Sequence, residues 1–100
     1  MIGFGKAQNV YFTNDSTQAT LKVAMVTDTT QADLLVFEVG TVSQVNKHGQ
    51  FFKCSNIDDA ELIIYIVDDP KKAQIIIAYV DNAIITGWRH PEKVRYFKSK

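Results

Sequence analysis

One cysteine, two prolines and five glycines in 100 residues narrow the choice of architecture. A lone Cys54 excludes an internal disulfide framework and suits a reducing compartment. So few prolines and glycines, beside 46% apolar residues, exclude a disordered or low-complexity chain. Charge of one sign is missing too: 11 basic residues meet 11 acidic ones, so no global field advertises nucleic acid or membrane as partner. The longest apolar runs, residues 62–67 and 75–80, hold six residues each, whereas a spanning helix needs about 18 or more. The opening Met1-Ile2-Gly3-Phe4-Gly5-Lys6 has no hydrophobic stretch of the secretory kind. The expectation is one soluble cytoplasmic domain over residues 1–100.

What the chain does have is a thirteen-residue phrase repeated six times. Thr13, Val26, Val39, Cys54, Val67 and Val80 close successive strand-like runs. Two positions later stand Asp15, Asp28, Thr41, Asn56, Asp69 and Asn82, all side-chain acceptors suited to cap a turn. Six positions after each anchor come Ala19, Ala32, Val45, Ala60, Ala73 and Thr86. Four units add a large aliphatic residue two further on: Leu21, Leu34, Leu62 and Ile75. The period lengthens by two residues only between Val45 and Cys54.

Each unit reads as a capped turn followed by a strand. In Asp69-Pro70-Lys71-Lys72-Ala73 the proline takes the first helical position, where its missing amide costs nothing. The β-branched and aromatic runs that follow favour strands and, lacking polar alternation, read as buried on both faces. Lys22 and Glu38 place their two strands nearer an edge. A six-residue strand runs about 20 Å, and the short connection cannot carry the chain back beside it, since a parallel crossover needs about a dozen residues. The chain must therefore reverse, cross at an angle or wind around a common core. The expected class is α+β and β-rich: a compact wound domain of about six turn-plus-strand repeats, with small alanines letting the turns pack closely.

Val67-Asp68 and Val80-Asp81, with Ala73 between them and Gly87-Trp88 closing the series, resemble the repeats of a small bacterial family, the septoil-knot (seven-crossing torus knot) domains. Gln31-Ala32-Asp33 and Gln18-Ala19 are similar to its repeated Gln-Ala-Asp phrase. The resemblance covers roughly residues 10–90. Thr86 and Val45 depart from the family's alanine, and the fourth connection is longer. The resemblance implies a deeply knotted chain, against the general rule for proteins. It implies no activity and no functional residue.

Chemistry-bearing residues have mostly structural explanations. Asp58, Asp59, Glu61, Asp68 and Asp69 read as caps and surface, since no segment supplies the six or more oxygens of a hard-cation loop. Cys54 stands where other units carry valine, so it reads as a small apolar core residue. His48 and His90 lack ligand spacing. No catalytic residue, metal or cofactor is expected. Two departures from the repeat remain as candidate interaction surfaces. The insertion at residues 46–50 is expected to loop outward with Lys47 and His48. The basic tail carries Lys93, Arg95, Tyr96 and Phe97, and its alternation, if a strand, puts Lys93 and Arg95 on one face. Trp88 reads as a plug of the core. The expected function is a rigid, non-enzymatic module for an unidentified protein partner, monomeric or a small homo-oligomer. A ligand-free, kinetically stable scaffold is the alternative, and nucleic-acid binding through the tail the lesser one.

Overall fold

The computed structural model describes residues 9–40 and 49–96. Its strands are β1 (Asn9–Phe12), β2 (Leu21–Met25), β3 (Leu34–Glu38), β4 (Gln50–Lys53), β5 (Leu62–Ile66), β6 (Ile75–Tyr79) and the two-residue β7 (Gly87–Trp88). The first six form a closed parallel barrel in the order β4-β1-β5-β2-β6-β3, with β3 returning to β4. The chain thus places β1, β2 and β3 at alternate positions around one circuit, and β4, β5 and β6 fill the gaps on a second. β7 runs antiparallel to the start of β3, pairing Trp88 with Leu34.

Stagger explains how such short connections suffice. Ile64 faces Phe12 of β1 on one side and Leu21 of β2 on the other. Val23, Ile77 and Val10 are shared between two neighbours in the same way. Each strand therefore passes from one neighbour to the next halfway along its length. The steep tilt this implies advances the chain around the barrel instead of returning it along a crossover. Every anchor secures that advance: Thr13, Val26, Val39, Cys54, Val67 and Val80 each donate the backbone N–H to a carbonyl of a neighbouring strand at 2.8–2.9 Å.

The caps form as their residue types dictate. Asp15, Asp28, Asn56 and Asp69 each accept a backbone N–H two residues on, at 2.9–3.0 Å, and open a single 3-10 turn. Asn82 does the same for Ile84. Thr41 lies outside the described residues, as does Val45. Helical structure among the described residues is confined to 3-10 turns, so the α part of the expected class is not seen there. Ala32 is fully buried, and Ala19, Ala60 and Ala73 are half-buried, in keeping with close-packed turns.

Continuous burial was expected, and β5 alternates instead, while β6 keeps its outward Ala78 buried. The inward side chains Val10, Leu21, Val23, Leu34, Val36, Phe51, Leu62, Ile64, Ile75 and Ile77 form the core. Outward Ile63, Tyr65, Ile76 and Leu35 are only half-buried. These strands lack polar residues outside because the capped turns lie over that face; the Pro70–Lys72 turn contacts β2, and the Thr29–Gln31 turn contacts β6. The edge expected at Lys22 and Glu38 is also corrected. β2 pairs with β5 and β6, and β3 with β6 and β4, because closure leaves neither an open side.

Candidate functional site

Two ends of the barrel differ in chemistry. At the N-terminal ends of the strands, the residue before β2, β3, β5 and β6 is polar: Thr20, Asp33, Glu61 and Gln74. Three of these complete a reciprocal pair with the neighbouring strand. Thr20 N–H donates to the Ile63 carbonyl, and the Thr20 hydroxyl accepts from Ile63 N–H. Gln74 pairs with Lys22 in the same fashion, and Asp33 with Ile76. The side chain thus replaces a strand carbonyl that the stagger has removed.

Asp33 is the one charged member of those three, and the tail is built around it. Its side chain is 5% exposed, with one oxygen 2.7 Å from His90 Nδ1 and the other 2.9 Å from Lys93 Nζ. Its carbonyl accepts the N–H groups of Arg89 and His90. Burial alone would raise the Asp33 pKa, but the Ile76 N–H, Lys93 and His90 outweigh it and hold the carboxyl below its ordinary value. Trp88 and Tyr96 pack against the core from this side.

The alternating strand expected at residues 93–96 is therefore corrected to a 3-10 helix, Pro91–Tyr96. Helical spacing brings His90 and Lys93, three residues apart, to one carboxylate. Arg95 turns elsewhere: its guanidinium lies 4.9 Å from the Tyr96 ring and donates to the Tyr96 hydroxyl at 3.2 Å. The structure thus brings Lys93 into an internal ion pair and Tyr96 onto the core, and leaves Arg95 at the surface. Phe97, Lys47 and His48 lie outside the described residues. Gly49 and Gln50, expected in an outward loop, are buried instead, because Gln50 opens β4 against Phe37 of β3.

Cys54 is buried as expected, and its Sγ lies 3.2 Å from the Val10 carbonyl. Burial pushes its thiol upward in pKa, so a ready thiolate is disfavoured. It borders an open groove of about 510 Å³ with Asn9, Phe52, Lys53, Ser55 and Asp59.

The opposite end is different. The last residues of the six barrel strands are Phe12, Ile66, Met25, Tyr79, Glu38 and Lys53, in order around the barrel. All share the parity of the core residues two positions earlier, so they form the rim of the barrel's interior. Yet Met25 is 46% exposed, and Ile66 and Tyr79 are 37% exposed. Glu38 and Lys53 are exposed beside them. The Tyr79 hydroxyl donates to Glu38 Oε2 at 3.4 Å, and the Lys53 ammonium lies 5.6 Å from the Phe12 ring centroid. Sequence reasoning missed this rim. Its signal was the position just before each anchor, which mixes large apolar residues with two opposite charges where a core position would be uniformly apolar.

Residues 7–89 match the 7(1) septoil knot domain family. The chain belongs to the septoil-knot domain family. No curated protein and no solved structure matches the chain. The match ends at residue 89, so this septoil-knot domain holds its tail helix, Pro91–Tyr96, beyond the family's span. No helix among the described residues is long and apolar enough to cross a membrane.

One property of the rim can be read directly. Burial, and then the Glu38 carboxylate, push the Tyr79 phenol up to about 12. An ultraviolet phenolate titration is expected to find one of the four tyrosines ionising near that value, and Glu38→Gln to lower it. A folded pKa above the unfolded value of about 10 contributes stability below that pH and loses it as pH rises through about 12. Four phenols titrating together near 10 would contradict the Tyr79 environment.

Proposed function

We propose that the protein is a non-catalytic interaction module: a rigid barrel that presents its open rim to a protein partner. The observation that carries this is the exposure of Met25, Ile66 and Tyr79 at one end of the barrel. Apolar side chains gathered on a stiff scaffold and bordered by charges are suited to recognition. The reading moves the interaction face from the tail to the rim, since Lys93 and Tyr96 already have internal partners. The same internal contacts weigh against a phosphate-gripping tail. The interleaved circuits and the family match together support a chain threaded as a seven-crossing knot. The lone, buried Cys54 fits a reducing, cytoplasmic setting.

Native-extract capture tests this. Intact protein is compared with Met25→Ser/Ile66→Ser/Tyr79→Ser and with Arg95→Ala. The expected result is a protein partner lost with the rim variant and retained with Arg95→Ala. A partner insensitive to the rim variant, or nucleic acid lost with Arg95→Ala, would overturn the rim reading.

A second reading rests on the interleaving itself, since β4, β5 and β6 lie between strands of the first circuit. The chain then serves as a kinetically stable scaffold, and its unfolding rate in water falls below the slow limit of about 10⁻⁶ s⁻¹ for small domains. Unfolding in seconds would remove this reading.

A further inference from the structure

We infer that the partner of the rim is a second copy of this chain, docked rim to rim about a two-fold axis. The inference rests on the rim reading above and names its occupant. Around the barrel the rim reads Phe12, Ile66, Met25, Tyr79, Glu38, Lys53. Glu38 and Lys53 are neighbours in that ring, on the adjacent strands β3 and β4. Among the described residues no ion pair engages either of them.

A two-fold axis perpendicular to the barrel, passing between Glu38 and Lys53 on one side and between Ile66 and Met25 on the other, reverses the ring onto itself. Glu38 then faces the second copy's Lys53, and Lys53 its Glu38. Tyr79 meets Phe12, and Met25 meets Ile66. Every apolar residue finds an apolar partner and each charge its opposite, with no like charges opposed. Such self-complementarity is what an isologous contact requires. A ring with both charges of one sign, or with Glu38 and Lys53 at opposite ends of a diameter, would not have it under this axis. The aromatic pair adds a preferred edge or offset contact, and Met25 adapts to the gap beside Ile66.

The contact is small. The whole molecule spans only 32 × 31 × 24 Å, and one barrel end supplies less than the about 800 Å² per partner of a standard interface. Association is therefore weak and concentration-dependent, and charge sets its register more than its strength.

Sedimentation of the intact chain from about 10 μM to about 1 mM tests it. The weight-average mass should climb from monomer toward dimer. Glu38→Lys and Lys53→Glu should each weaken association about tenfold, because each sets like charges opposite one another twice. The double variant Glu38→Lys/Lys53→Glu should return to within a few-fold of wild type. Met25→Ser/Ile66→Ser should weaken association without touching charge, and thermal melts should show all variants folded. A monomer mass at the highest concentration overturns the inference, as does a double variant no better than the singles. The two readings fail separately. A monomeric wild type whose rim still governs capture from extract keeps the interaction module and removes self-association. Rim variants that change neither behaviour remove both.

Discussion

Gly49→Ala is expected to cost about 3–5 kcal/mol, a large part of the stability of a domain this size. A Cβ at Gly49 would lie 2.3 Å from the Leu35 carbonyl oxygen, 2.9 Å from Thr86 Cβ and 3.0 Å from Gly87 N. Two of those atoms are backbone, so the clash cannot be relieved by turning a side chain. The position also has φ +96°, where an L-residue is strained by about 1–2 kcal/mol. The crowding arises because β3 pairs with β7 over its first half and with β4 over its second, and Gly49 leads into β4 at the changeover. Gly87→Ala separates the two contributions. Gly87 has φ +140° but no atom within 4 Å of an added Cβ, so only the strain of about 1–2 kcal/mol applies. Urea denaturation of both variants should place Gly49→Ala well below Gly87→Ala. Equal losses would mean that the β3–β4–β7 junction is looser than described.

Asp33→Ala should be the next most damaging change, at about 2–4 kcal/mol. Removing one member of a buried charge pair typically costs about 3–5 kcal/mol. Here the partners are only partly buried, with Lys93 at 32% and His90 at 49% exposure, so the figure is discounted for solvent screening. The loss also strands the Ile76 N–H, which donates to Asp33 at 2.8 Å. Asp33→Asn keeps an acceptor for Ile76 and should cost about half as much. Tail release gives a second readout: trypsin should cut Asp33→Ala at Arg89 and Lys93 faster than wild type. The pH dependence follows from the lowered Asp33 pKa. Its contribution is present above the ordinary value of 3.8 and is lost as pH falls through the lower, folded value. Wild type should lose more stability on that acid limb than Asp33→Asn, which keeps only the limb of the other lowered carboxylates, Asp15 and Asp28. A tail equally resistant in all three proteins would mean that Trp88 and Tyr96 alone hold it.

Much of this fold was legible because the repeat carries it. Cap residues announce themselves chemically, and Asp15, Asp28, Asn56, Asp69 and Asn82 all accept the N–H that their position demands. Chain length alone excluded simple crossovers. What length cannot supply is which units become neighbours. Thirteen-residue units that all look alike pair equally well in many orders, and only the two-residue register step shared by Ile64, Val23 and Ile77 fixes alternate placement on the first circuit. Closure was hidden for the same reason, so Lys22 and Glu38 resembled edge residues.

The functional surfaces were harder to read. Lys93, Arg95 and Tyr96 drew notice as a basic, aromatic run, and the alternation suggested a strand. The partner of Lys93 alone among them, Asp33, lies 60 positions away in a Gln-Ala-Asp phrase that looked purely repetitive. The polar residue before β2, β3, β5 and β6, namely Thr20, Asp33, Glu61 or Gln74, was nevertheless a visible pattern, and a charged residue with a strand to satisfy needs countercharges. The rim residues were in view as strand ends. Exposure there depends on the depth of the barrel, and its one trace in the sequence was Glu38 and Lys53 standing where other units carry large apolar residues.

The proposed partner-facing surface is the rim, with the tail serving as a clamp at the other end. Oxidative footprinting of the intact chain, dilute and then associated, distinguishes the two ends. Met25 and Tyr79 are expected to become protected on association, while Trp88 and the peptide spanning residues 89–96 keep their labelling. Protection confined to the tail, with Met25 and Tyr79 unchanged, would contradict it.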